Sequence, residues 1–295
     1  MSDLRVLSIQ SHVVFGYVGN KSATFPLQLH GFDVDGINSV QLSNHTGYKV
    51  FKGQILNEND LDNLIEGLSE NKLDCKYSHL LTGYVRNDKF LLGIVNIVKQ
   101  LREKRPNLIY VCDPVLGDCG KLYVPKELVN IFQNQIIPLA DIITPNQTEL
   151  EFLSGMKADT MENALKCIKF LHEKNCKMIV VTSLEFCDES EQLYVIASCI
   201  SNEKFFIQIP KLRGKFFGTG DLFAALFLAW FTKTNDVATT LEKTVSTVHA
   251  VITRTLNSFK YCSGDNNEQL NLELKLIQSK DDIENPKIFF KSKKL

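Results

Sequence analysis

The sequence predicts an α/β fold in which a central, mostly parallel β-sheet is flanked by helices on both faces, as a single domain over residues 1–295 with a small edge flap. Short runs of β-branched and aromatic residues alternate with longer segments of helical period, and strands separated by helices of that length pair in parallel. Polar residues gather where the strand runs end, and sheets of this kind bind ligands at the carboxyl ends of their strands. No internal repeat, low-complexity tract or linker interrupts the pattern.

In chain order, a strand at 5–9 ends at Ser11-His12 and leads to a helix at 19–29. A second strand, 32–38, ends at Asn38-Ser39. The stretch from Gln41 to Gln54 does not fit a strand–helix unit and reads as a polar turn with a short edge strand, a flap over the strand ends. A helix at 58–71 precedes a strand at 77–81, which ends in Thr82-Gly83-Tyr84. The helix at 89–104 carries Leu92, Val95, Ile97, Val98 and Leu101, has basic residues at its end and stops before Pro106. Strand 108–112 closes on Asp113-Pro114, then come a helix at 126–135 and strand 141–144, closing on Thr144-Pro145-Asn146. Helices at 147–153 and 161–174 precede strand 178–182, which ends at Thr182-Ser183. Strands 192–197 and 205–209 and helices 220–231 and 237–256 complete the series. Each polar pair is by itself an ordinary strand-end turn; together on one edge they outline a site.

The most specific local signal is Gly218-Thr219-Gly220-Asp221, between the strand and a helix that is apolar all round. A glycine-bracketed turn opening a buried helix aims free N–H groups and the positive end of the helix dipole at one spot, which suits an anion. Asp221 there reads either as a dipole-complementing cap or as a carboxylate beside a phosphate hole. The second arrangement lets a kinase take a proton from an alcohol while the transferring phosphoryl group is stabilised.

Composition excludes other classes. The chain is 44% hydrophobic and 23% charged with net charge −1, so nothing marks it for nucleic acid or an anionic membrane. Its longest apolar run, which ends at Phe231, falls short of the about 20 residues that span a bilayer. The amino terminus lacks a signal-peptide pattern. Eight cysteines (75, 112, 119, 167, 176, 187, 199, 262) include no Cys-x-x-Cys pair and read as reduced thiols of a cytoplasmic protein. The six histidines are scattered and form no metal-ligand set.

The blocks Gln10-Ser11-His12, Gly16-Tyr17-Val18-Gly19-Asn20, Asn44-His45-Thr46-Gly47-Tyr48, Leu81-Thr82-Gly83-Tyr84, Asp113-Pro114-Val115-Leu116-Gly117-Asp118 and Thr144-Pro145-Asn146-Gln147-Thr148-Glu149, with Gly218–Asp221, resemble the pyridoxal kinases of the ribokinase-like superfamily. The likeness runs in order from Arg5 to about Ile283. The glycine–aspartate motif marks the superfamily; the first and third blocks are far more specific. The resemblance implies a ribokinase-like fold, a homodimer, ATP as co-substrate, Mg²⁺ or another divalent cation, and K⁺ or Na⁺. The implied reaction is phosphorylation of the 5′-hydroxymethyl group of pyridoxal, pyridoxine or pyridoxamine. By the same resemblance Asp221 matches the general base, and the amides of Gly218, Thr219 and Gly220 the hole for the γ-phosphate. Ser11, Val18, Thr46 and Tyr84 match positions around the pyridine ring. Asp118 matches an aspartate near Mg²⁺, and Asp113, Thr144, Glu149 and Thr182 match cation-associated positions. Asn146 and Ser183 match nucleotide-phosphate contacts, with Glu149, Thr182 and Thr219 on the same side. Leu212, Arg213 and Gly214 fall where the nucleoside is held, and Tyr123 near the phosphates.

Two segments depart from the family pattern. The loop after Asp118, Cys119-Gly120-Lys121-Leu122-Tyr123, is short, and Lys211-Leu212-Arg213-Gly214-Lys215 is more basic than the expected apolar run. Both bear on the nucleotide side. Two alternatives compete on the residues: a superfamily kinase for another small alcohol such as hydroxymethylpyrimidine, against which Ser11, Thr46 and Tyr84 decide, and a non-catalytic pyridoxal-binding protein, which would need neither Asp221 nor its flanking glycines.

Overall fold

The computed structural model describes residues 4–186, 191–260 and 271–295, which leaves Cys187 and Cys262 outside. In chain order its elements are β1 (Arg5–Val13), α1 (Asn20–Leu29), β2 (Asp33–Leu42), β3 (Gly53–Ile55), α2 (Glu58–Glu70), β4 (His79–Thr82), α3 (Asp88–Lys104) and β5 (Ile109–Cys112). Then come β6 (Gly117–Asp118), β7 (Lys121–Leu122), α4 (Glu127–Ile131), β8 (Ile142–Ile143), α5 (Gln147–Ser154), α6 (Met161–Glu173), β9 (Met178–Leu184), β10 (Gln192–Cys199) and β11 (Lys204–Pro210). The last are β12 (Lys215–Phe216), α7 (Thr219–Thr234), α8 (Val237–Lys260), β13 (Asn271–Leu272), α9 (Lys280–Glu284) and β14 (Lys293–Lys294).

Among the described residues the main sheet has ten strands in the order β14-β11-β10-β9-β8-β5-β4-β1-β2-β3. The run from β9 to β2 is parallel throughout, and the outer strands pair antiparallel. The β10–β11 pair is a hairpin because its connection is too short for a crossover helix, which parallel pairing requires. From β1 the chain moves first to β2 on one side and later to β4 on the other. That reversal opens a crevice at the carboxyl ends of β1 and β4.

Strand residues alternate between two cores, as a period of two dictates. Leu7, Ile9, Tyr110, Cys112, Ile179 and Val181 face a core built with α2, α3, α5 and α6. Val6, Val111 and Val180 face one built with α1, α7 and α8. Helix α7 is buried at every residue from Leu222 to Trp230, as its all-round apolar sequence predicts. Fully burying each large apolar side chain contributes about 1.5–3 kcal/mol, so α7 is firmly seated.

Several strands run further than the sequence indicates. β1 continues to Val13 and β2 to Leu42, because the two keep pairing past a bulge at which Gln10 faces Asn38 and Ser11 faces Val40. Ser11 and Ser39 therefore lie inside strands rather than after them, and β9 likewise runs on to Leu184 and takes in Ser183. β1 pairs with β4 only as far as Ile9↔Thr82, so Ser11 still projects past its neighbour on that side. The helix expected at 126–135 is regular only from Glu127 to Ile131; a widened turn, Phe132–Ile136, follows, next to Pro138, which has no N–H to donate. The flap is present: β3 pairs antiparallel with β2 and the polar turn precedes it.

Candidate active site

At the start of α7, Gly218 takes the left-handed conformation (φ 80°) and stands at the N-cap with no side-chain cap hydrogen bond. A Cβ there would sit 2.0 Å from the Tyr17 carbonyl oxygen, so only glycine fits. The Ser22 hydroxyl donates to the Gly218 carbonyl at 3.0 Å and fixes the turn against α1. The first N–H groups of any helix lack intrahelical acceptors, and those of Thr219 and Gly220 open onto the crevice edge, where Gly220 is exposed. Asp221 occupies the third position of α7 and accepts from the Gly19 N–H. Burial raises its pKa, and that backbone donor opposes the rise.

Gly19 (φ 55°) lies so close to β1 that a Cβ would meet the Ser11 carbonyl at 1.9 Å and its hydroxyl at 2.4 Å. Thus Ser11 at the end of β1, the 16–19 loop and the α7 turn form one packed unit. Val18 and Tyr84 pack on Val13, Val40 and Leu42 beside it. The Ser39 hydroxyl at the bulge donates to the Tyr84 carbonyl at 2.7 Å. Thr46 is exposed on the flap.

Asp113, at the end of β5, is 5% exposed, and a Cβ on Gly220 would lie 3.4 Å from its Oδ2. Its pKa is pushed well up, first by burial and then by the charges of Glu149 and Asp221, while Thr144 tempers the rise. The Thr144 hydroxyl is buried and makes no hydrogen bond of full geometry. Glu149, also buried, is raised to about 8 by burial, against backbone donors from Asn146, Leu116 and Gly117. Both its oxygens are engaged: Oε1 accepts from Leu116 N at 3.0 Å and Oε2 from Asn146 N at 2.9 Å. Glu149 and Asn146 form the capping box of α5, and Asn146 also donates to the Gly117 carbonyl at 2.8 Å. These two residues consequently hold the β6 strand in place.

Asp118 is exposed at the tip of the β6–β7 hairpin, its carboxylate accepting from Cys119 N at 2.8 Å. Cys119 (φ 51°) and Gly120 (φ 74°) are both left-handed, the conformation of a two-residue hairpin turn. The short loop is therefore a tight hairpin, tied to α5 by Gly120 N donating to the Thr148 hydroxyl at 2.9 Å. Tyr123 follows it and is 57% exposed. Thr182 and Ser183 are half-buried near the end of β9, with Thr182 N donating to the Pro145 carbonyl at 2.9 Å. Leu212 is half-buried and Arg213 and Gly214 are exposed on the turn between β11 and β12. Among the described residues no three His, Cys, Asp or Glu side chains form a ready-made metal cage.

A family model described as phosphomethylpyrimidine kinase matches residues 48–266. The pyridoxal kinase of Homo sapiens is 46% identical over 303 residues, covering 97% of this chain and 97% of that protein. The pyridoxal kinase of Arabidopsis thaliana is 48% identical, covering 98% and 94%. The chain belongs to the pyridoxal kinase family. The solved structure of pyridoxal kinase from Leishmania donovani in complex with ADP and pyridoxamine superposes with a TM-score of 0.92 at 34% identity, covering 99% of this chain and 100% of that one.

Within this family frame, roles that the local sequence does not carry also stand at the site. Gly19 supplies the N–H on Asp221. His45 stacks on Phe217 with ring centroids 3.9 Å apart, joining the flap to the residue before Gly218. His45 lay inside a motif already singled out; Phe217, its partner in space, carries no local sequence signal. The described cysteines are free thiols, and among the described residues no helix is long and apolar enough to cross a membrane.

Proposed function

We propose that the chain phosphorylates the 5′-hydroxymethyl group of pyridoxal, pyridoxine and pyridoxamine with ATP, Asp221 acting as general base. The observation that carries this reading is the Asp221 carboxylate in the first turn of buried α7, beside the Gly218 turn and held by the Gly19 N–H. A primary alcohol is a poor nucleophile, so its proton must pass to a base as its oxygen bonds to the γ-phosphorus. Asp221 receives that proton, the bond from the γ-phosphorus to the bridging oxygen breaks, and ADP leaves with the electron pair. The Gly218, Thr219 and Gly220 amides take up the charge on the transferring group. Ser11, Val18, Thr46 and Tyr84 surround the flat ring, an aromatic face with hydroxyl partners at its rim. Asn146, Ser183, Thr182 and Thr219 serve the phosphates, and Leu212, Arg213 and Gly214 the nucleoside, with Tyr123 at the hairpin.

The donor set fits hard cations: Asp113, Asp118, Thr144, Glu149 and Thr182 offer only oxygen. The buried Thr144 hydroxyl and the charge crowding at Asp113 both favour a cation there. Asp118 would face Mg²⁺, and Asp113, Thr144, Glu149 and Thr182 a monovalent ion. Bound cations supply positive charge to the phosphates. The family resemblance supports a homodimer, and the free thiols support a reducing cytoplasmic setting.

An ADP-release assay on purified full chain tests this reading, with the three vitamers and hydroxymethylpyrimidine as substrates. Vitamer-dependent ADP release with little hydroxymethylpyrimidine turnover is the expected result. Preference for hydroxymethylpyrimidine would assign the chain to the other alcohol, and vitamer binding without ADP release would make it a binding protein.

A further inference from the structure

We propose that Glu273 is a positioning residue for the vitamer: its carboxylate ties the flap to the 16–19 loop and so sets the shape of the pyridine side of the site. The inference rests on the vitamer-kinase reading above and adds a residue to it.

The Glu273 side chain is 15% exposed and gathers groups from two distant segments. Its Oε2 accepts from Tyr17 N at 3.1 Å, and its Oε1 accepts from the Tyr48 hydroxyl at 3.1 Å. His45 Nε2 lies 3.2 Å from the same Oε1. Burial pushes the Glu273 pKa up, but His45, the Tyr17 N–H and the Tyr48 hydroxyl outweigh it and hold the group below the ordinary carboxylate range. The anchor is therefore an anion. Gly16 makes room for it: at φ 90°, a Cβ there would lie 2.0 Å from Oε2.

Its partners adjoin two residues matched to the pyridine ring. Tyr17 precedes Val18, and His45 precedes Thr46. The flap is clamped from its other side as well, since Phe217 stacks on His45 and a Cβ at Gly47 would meet Phe217 Cζ at 2.3 Å. Tyr17 in turn abuts Gly218. One carboxylate thus ties the loop that carries Val18 directly to the flap that carries Thr46. None of its contacts involves Asn146, Glu149, Thr182 or Ser183 on the nucleotide side. Loss of the anchor accordingly loosens the vitamer pocket and leaves ATP binding in place.

The test compares full-length wild type, Glu273→Ala, Glu273→Gln and Tyr48→Phe for KM of pyridoxal, KM of ATP, kcat and melting temperature. A wild type that turns over no vitamer defeats the kinase reading itself. With an active wild type, Glu273→Ala is expected to raise the pyridoxal KM by about tenfold or more, the size of a lost charge-assisted hydrogen-bond set, with ATP KM unchanged. Glu273→Gln, whose amide oxygen still accepts from Tyr17 N, is expected to recover part of it. An unchanged pyridoxal KM in Glu273→Ala overturns the proposal, and so does a parallel rise in both KM values with a lowered melting temperature. Should Glu273→Ala not fold, Tyr48→Phe decides: a higher pyridoxal KM supports the anchor, and a wild-type value overturns it.

Discussion

Asp221→Asn removes one negative charge and the capacity to take a proton, while keeping the volume and an oxygen that accepts from the Gly19 N–H. If Asp221 is the base, kcat falls by about 10²–10⁴-fold. That range corresponds to about 2.7–5.4 kcal/mol of barrier at 1.36 kcal/mol per decade. The structure sets a different expectation for stability. A carboxylate in the first turn of a helix stabilises it by about 0.3–1 kcal/mol, which the variant loses. Against this, Asp113 is pushed up partly by the Asp221 charge, and removing that charge relieves the crowding. The two effects oppose, so the melting temperature should stay within about 2–4 °C of wild type. The assay measures ADP release at saturating pyridoxal and ATP, ATP binding by calorimetry and thermal melting on the same preparation. A variant that melts earlier yet turns over at a near wild-type rate would show that Asp221 is only a helix cap. Loss of ATP binding together with kcat would place its role in nucleotide binding instead.

Gly218→Ala should collapse kcat, because its Cβ would meet the Tyr17 carbonyl and φ 80° costs a non-glycine residue about 1–2 kcal/mol; kcat and stability both at wild-type values would refute the tight turn. Gly120→Pro cannot hold φ 74° and loses the N–H bond to Thr148, so ATP KM should rise and kcat fall, and no change in either would remove the hairpin from the nucleotide site. Replacing K⁺ with a bulky organic cation at constant ionic strength should slow turnover, and equal rates would leave Asp113 and Thr144 without a monovalent ion. His79, bonded to Ser78 and Thr232, has its pKa lowered to about 4 by burial and then by Arg105. It is neutral in the fold, so its share of stability is present above the ordinary value of 6.5 and is lost as pH falls toward 4. Melting temperature should therefore drop less between pH 7 and 4.5 in His79→Gln than in wild type, and identical drops would contradict the assignment.

Short-range pattern alone determined much of this protein. Periods of two and of 3.6 are local properties, so the alternation of strands and helices was legible, as was the buried helix after Gly218. The glycines flanking Asp221 were legible for the same reason, since a left-handed turn before an apolar helix is written in adjacent residues. The order of the motifs from Gln10 to Asp221 carried the family. What the tertiary structure decided concerns residues that meet only after folding. The bulge that keeps Ser11 inside β1 depends on pairing with β2, and the antiparallel pairing of β10 with β11 on a connection that holds no helix. The Gly19 N–H reaches Asp221 because Ser11 and Gly218 pin the loop from opposite sides. Tyr17 and Glu273 lie 256 residues apart in the sequence yet share a hydrogen bond. No local period encodes such a contact: a lone glutamate after Leu272 reads as a solvated charge until the sheet brings the flap and the loop to it.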